Sequence, residues 1–154
     1  WLIARQNNII NRNVNFAEKM GITIEDAITS YLISKRLERI GDHIIKIAEN
    51  YLSIIDKKFN DKLKNKIISS AKFSIEILNK SIGAYSKKDI KDANENIELL
   101  DNLNKKCDDV QKDILKQEPI VALSAGYIIE SIGRIGEYAE DISETVINHL
   151  VGKD

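Results

Sequence analysis

The sequence predicts an all-α protein, an elongated antiparallel helical bundle, and three observations carry that prediction. Apolar residues recur at helical spacing over long stretches, and the 154 residues contain a single proline, Pro119. Apolar residues make up 43% and charged residues 31%, a balance suited to one helical domain with a real core. Third, a pattern recurs at an offset of 95: Arg39-Ile40-Gly41-Asp42 with Ile47 and Glu49, then Arg134-Ile135-Gly136-Glu137 with Ile142 and Glu144. Both copies sit in the same phase of an amphipathic helix, so the chain reads as two related helical halves.

The elements follow in order. A short helix is expected at about residues 1–9, then an irregular Asn11-Arg12-Asn13 stretch and a helical turn near Phe16–Met20. Gly21 breaks the chain. Thr23, with Asp26 three residues on, approximates a capping box that opens a long helix at about 24–56. Its expected seam is Ile33, Leu37, Ile40, Ile44, Ile47, Tyr51 and Ile54, broadened by Ile45, Ala48 and Leu52. Asn60 can cap a helix at about 61–85, with Ile68, Ile75 and Ile82 seven apart and Ile67, Ala71 and Leu78 beside them; Gly83 and Ser86 mark its end. Asp89 can cap the next, about 90–116, whose buried face runs Ala93, Ile97, Leu100, Leu103, Cys107, Val110 and Ile114. Pro119 forces a new start, because proline fits the first turn of a helix and little else. The last helix, about 120–150, carries Ile128, Ile132, Ile135, Ala139, Ile142 and Val146 on its seam, and Gly152 ends it. Short connections make sequential helices antiparallel neighbours. Residues 59–154 thus read as a complete three-helix half, and residues 1–58 as a similar half shortened at its N-terminus.

Composition excludes several classes of function. The formal net charge is −1 and the pI about 6.2, so no global field would hold nucleic acid or an anionic membrane. Cys107 is the only cysteine, which leaves no disulfide framework or thiolate cage and fits a reducing compartment. No apolar run reaches the roughly 20 residues needed to span a bilayer, and no signal peptide is visible. The opening Trp1-Leu2-Ile3 reads as the inside of a helix, so an N-terminal part is expected ahead of it. Of the five arginines, Arg36, Arg39 and Arg134 lie in or beside the repeated motif, where a rigid fork of donors would be of use.

The chemistry-bearing residues are acidic. Glu38 and Asp42 lie four apart on one helix edge beside the seam, with Gly41 giving room, and Glu49 continues that edge. Glu137, Asp141 and Glu144 occupy a comparable edge of the last helix, and Asp101 and Asp108 flank the seam of the fourth. Carboxylates drawn together repel, and a hard or borderline cation relieves that cost. The alternative is a solvated or ion-paired face, as for the acid pairs Asp109/Asp113 and Glu140/Glu144. Convergence of Arg36, Arg39 and Arg134 on phosphate is a further option. His43 and His149 do not stand three after a glutamate, so the Glu-x-x-His pairs of di-iron bundles are missing. Cys107 on an apolar face reads as core. No Ser-His-acid order, phosphate loop or His-Glu-x-x-His motif supports an enzyme.

Lys35-Arg36-Leu37-Glu38-Arg39-Ile40-Gly41-Asp42-His43, followed by Ile47-Ala48-Glu49, resembles the signature of the PhoU family of phosphate uptake regulators. Asp89 with Ala93, leading to Leu100-Asp101, is similar to that family's fourth-helix pattern, and Arg134 to Glu144 resembles a degenerate second copy. The resemblance implies tandem three-helix repeats, a cytoplasmic and dimeric protein, and iron or zinc clusters held by a Glu/Asp-x-x-x-Asp motif in each half. It implies a non-enzymatic negative regulator whose partner is the ATPase of a phosphate ABC transporter or a signalling protein. By that resemblance the metal ligands would be Glu38, Asp42, Asp101 and Glu137. In the second copy Gly133 stands in place of the glutamate and Glu137 in place of the aspartate. Archaeal members carry a DNA-binding domain ahead of this part, which implies such a head here. The alternative is a structural, oligomerising or effector-sensing helical module of a transcription regulator, binding no metal.

Overall fold

Side-chain caps at Thr23, Asn60 and Asp89 start three helices, and Pro119 starts the longest. In the computed structural model, which describes residues 21–57 and 60–152, the helices are α1 (Ile24–Ile54), α2 (Asp61–Lys87), α3 (Ile90–Ile97), α4 (Leu99–Ile114) and α5 (Pro119–Val151). The expected helix at 1–9 and turn at Phe16–Met20 lie outside the described residues. Thr23 and Asp26 form a reciprocal capping box: the Asp26 amide donates to Thr23 Oγ1 at 3.0 Å, and the Thr23 amide donates to Asp26 Oδ2 at 3.3 Å. Asn60 Oδ1 accepts from the Lys62 amide at 2.9 Å, and Asp89 Oδ1 accepts from the Asp92 amide at 3.0 Å. Pro119 stands in the first turn of α5.

Two boundaries differ from expectation. Gly83 does not end α2, which runs on to Lys87 and stops where Lys88 turns left-handed at φ 57°. The expected single helix at 90–116 is divided at Glu98 into α3 and α4. Asn96 accounts for the break. Its fully buried amide Nδ2 faces the Ile77 carbonyl at 3.0 Å, Ser81 Oγ at 2.7 Å and Ser143 Oγ at 3.0 Å, which ties the turn to α2 and α5.

All the other helices pack on α5, which lies antiparallel to α1 and has α2 and α3–α4 against its remaining faces. Its expected seam is buried throughout, and Val121, Ala125, Ile129 and Ser143 widen it. The α4 face is likewise as expected, with Leu103, Cys107, Val110 and Ile114 buried. On α2 the expected row is displaced. Ile68, Ile75 and Ile82 are exposed, and the core row is Leu63, Ile67, Ser70, Ser74, Ile77, Ser81 and Ala84. Serines can occupy it because each hydroxyl donates to a carbonyl: Ser70 to Lys66 at 3.1 Å, Ser74 to Ala71 at 2.9 Å, and Ser81 to Ala139 across the interface at 2.5 Å. On α1 the inward residues are Ala27, Ile33, Ile40 and Ile54, whereas Leu37, Ile44 and Tyr51 face outward. The backbone of α1 comes near that of α5 and of no other described helix.

Gly136 sets the distance between α4 and α5: a Cβ there would run into Leu103 Cδ2. At the far end, Lys66 of α2 clasps α4 through Asp109 (2.6 Å) and Asp113 (2.7 Å), and Lys116 also reaches Asp113. Hydrogen bonds from Lys66 and then Lys116 hold Asp113 down from the ordinary 3.8 to about 2.

Gly136→Ala should lower stability by about 1–3 kcal/mol, because the fully buried Leu103 must repack within a close-packed core to admit the methyl group, which outweighs the helix-propensity gain of about 1 kcal/mol; thermal denaturation measures it. The depressed Asp113 predicts a pH effect. Its contribution is fully present above 3.8 and disappears as pH falls towards about 2. Asp113→Asn should therefore lower stability at neutral pH, leave it nearly unchanged near pH 2, and so flatten the acid limb of a stability-against-pH profile.

Candidate functional site

The repeated motifs bring α1 and α5 together along an edge where acids and bases interleave. Glu38 projects outward on α1 and accepts from Lys35 Nζ at 2.7 Å; that bond draws the Glu38 carboxyl below its usual range and raises the lysine. Arg36 crosses to α5 and meets Asp141 at 2.9 Å. Arg134 turns along its own helix to Glu137 at 2.6 Å. These pairs are at least a third exposed, so water and salt screen them and they contribute little to stability. Two of the three arginines expected to seek phosphate are thereby occupied by carboxylates.

Of the four residues expected as metal ligands, Glu38, Asp42 and Asp101 are exposed and Glu137 is half-buried. The structure brings Asp101 and Glu137 into the field of a residue the sequence offered only as half of a solvated pair, Glu140. Burial first, then Glu144, Asp141, Glu137 and Asp101, push the Glu140 carboxyl above its usual range. Glu38 and Asp42 are not among those neighbours. Among the described residues no group of three or more His, Cys, Asp or Glu is disposed to hold a metal ion. Glu38 pairs with Lys35 and Glu137 with Arg134, each within its own helix.

His43 is a boundary residue on the inner side of this edge, its ring 5.8 Å from that of Tyr138. Its Nδ1 is buried without a hydrogen-bond partner among the described residues, and burial, with Lys46 and Arg134 nearby, lowers its pKa. The other histidine was not foreseen as a tie. His149 near the end of α5 bridges Thr29 Oγ1 (2.9 Å, Nδ1) and Asp26 Oδ1 (3.0 Å, Nε2) in the first turns of α1. Partners about 120 residues apart leave no local sequence signal. Cys107 is buried, and desolvation pushes its thiol up to about 11, so it stays protonated and unreactive near neutrality.

Among the grooves that flank the bundle, two border α2. One of about 590 Å³ between α2 and α3 is walled by Lys72, Lys80, Lys87, Glu76, Asp92 and Glu95. The other, about 480 Å³, opens between α1 and α2 over Ile128 and Ile132 of α5, with Ile47, Tyr51, Ile67 and Ile68 in its walls. No helix among the described residues is long and apolar enough to cross a membrane.

The two longest helices of this all-helical bundle, α1 and α5, carry related acid-base motifs. The family model of the PhoU domain matches residues 67–146, more than half of the chain and the part that forms α2 to α5, and the chain belongs to the PhoU family. No curated protein and no solved structure matches it.

Proposed function

We propose that the chain is a non-enzymatic regulator of phosphate uptake that acts in the cytoplasm by presenting a helical surface to the ATPase of a phosphate transporter or to a signalling protein. The observation that carries this reading is the family match, which falls on the helices that form the core. The grooves beside α2 supply surface for a partner, and the only thiol lies sealed in the core. Regulation on this reading is mechanical: α5 holds the other helices at fixed angles, so a partner meets a rigid surface.

A second reading concerns the acidic edge alone, and the interleaving of Lys35, Arg36 and Arg134 with Glu38, Asp141 and Glu137 favours it. Here the repeated motifs are ion-pairing elements of a structural module and bind no metal.

Cells that lack the chain should take up labelled phosphate several-fold faster in phosphate-rich medium, and the wild-type chain should restore restraint; uptake unaffected by its loss overturns the regulatory reading. For the edge, Glu38→Ala with Asp42→Ala should leave metal content by elemental analysis equal to wild type and change stability by no more than about 1 kcal/mol. A loss of bound iron or zinc in that variant would instead establish the metal reading.

A further inference from the structure

The groove between α2 and α3 has a floor that packing alone does not explain. Asn96 lines it, and that side chain is wholly buried. Its Nδ2 shares two hydrogens among three acceptors, the Ile77 carbonyl, Ser81 Oγ and Ser143 Oγ. Its Oδ1 is buried with no hydrogen-bond partner among the described residues. The amide cannot be turned over, because reversal would set its oxygen against the Ile77 carbonyl. A buried acceptor left unpaired carries a desolvation cost that an incoming donor removes. Asn96 therefore offers an acceptor, and no spare donor, to an occupant of the groove.

Gly83 is an independent observation at the same place. It lies inside α2, where glycine is unfavourable, and a Cβ there would meet nothing within 4 Å. Contacts within the described protein thus give no reason for it, whereas a Cβ on Gly136 would run into Leu103. Gly83 borders the groove together with Ile75, which is 53% exposed. Bare backbone beside an exposed aliphatic side chain makes a flat apolar strip that a planar ring can approach closely.

The charges are sorted across the groove. Its α3 wall offers acceptors alone, from Asp92, Glu95 and the Asn96 oxygen. The lysines stand on the α2 wall, at Lys72, Lys80 and Lys87. Lys80 meets Glu76 at 3.5 Å and Lys87 meets Asp92 at 3.3 Å, and both pairs are about half exposed, so they open at little cost. Lys72 makes no ion pair among the described residues.

An occupant matched to this groove brings N–H donors to α3, a flat ring to Gly83 and an anion to the lysines of α2. A polyamine would satisfy the acids but meet three lysines. An inorganic anion would satisfy the lysines and leave the Asn96 oxygen bare. We propose that the groove binds a nucleoside phosphate, with the N–H edge of the base on Asn96 Oδ1 and the phosphates on Lys72 and Lys80. Ile77 and Ser81, which Asn96 touches, stand ~8–14 Å from Lys72 along the helix, a span that a nucleotide covers from base to phosphate. The groove volume of about 590 Å³ falls among those of small-molecule sites. The proposal stands apart from the regulatory reading, because binding is measured on the purified chain.

Isothermal titration of the full chain with ATP and with GTP tests it, with adenosine and inorganic tripolyphosphate as the separate halves. At least one nucleotide should bind one-to-one with a Kd below about 1 mM, and each half about tenfold more weakly or worse. Lys72→Glu should weaken the nucleotide several-fold and leave adenosine unchanged. Asn96→Ala also removes ties to α2 and α5 and can unfold the chain, so Gly83 carries the decision. Gly83→Leu should abolish binding without lowering the thermal midpoint, since its Cβ meets no neighbour. Gly83→Ala should weaken binding several-fold while raising the midpoint, a pair of effects that a purely structural glycine would not give. No binding of either nucleotide at about 5 mM overturns the proposal. Binding that survives Gly83→Leu overturns it as well, and so does tripolyphosphate bound as tightly as the nucleotide, since Asn96 then has no part.

Discussion

Burial of α5 is the constraint on which the rest of this structure depends. Ile129, Ile132, Ala139, Ile142 and Val146 are almost wholly removed from water, and each other helix reaches the core by covering part of their surroundings. Four of those five side chains are branched aliphatics, so each contributes roughly 1.5–3 kcal/mol when taken out of water, less for the alanine. No other described element touches so many neighbours. Gly136 and the serines on α2 matter for the same reason, since they let backbones approach this helix closely enough to close the gaps.

Electrostatics arranges the surface without dictating the fold. Where an acid on the α1–α5 edge has a cation within reach it takes it, as Glu38, Asp141 and Glu137 do. Glu140 is half-buried among like charges, and burial together with those charges raises its pKa. A carboxylate neutralised by a neighbouring lysine or arginine has less to offer a metal ion. Of the three ion pairs, Arg36–Asp141 joins α1 to α5, and the other two lie within one helix.

The family and the helical architecture were legible because they rest on local signals. Thr23, Asn60, Asp89 and Pro119 act on the amides and turns next to them, so their effect can be read within four residues of sequence. The seam of α5 was legible for a related reason: it is apolar at every expected position and is covered on several sides, so no choice between faces arises. On α1 and α2 a choice did arise. Ile68, Ile75 and Ile82 keep a perfect spacing of seven and yet lie outside, while Ser70, Ser74 and Ser81 lie inside. Periodicity identifies a helix with two usable faces but does not say which one meets a neighbour.

By itself the sequence determined where the long helices lie and which residues start them, the inward face of α5 and α4, and membership of the PhoU family, since each follows from residues close together along the chain. Only the tertiary structure decided which face of α1 and α2 is core, that Asn96 divides the fourth helix, that His149 closes on Thr29 and Asp26, and which cation each acid of the motif receives. Those outcomes depend on partners tens of residues away, whose distance is set by packing around α5. A helical repeat fixes direction around its own axis and leaves the neighbour undetermined.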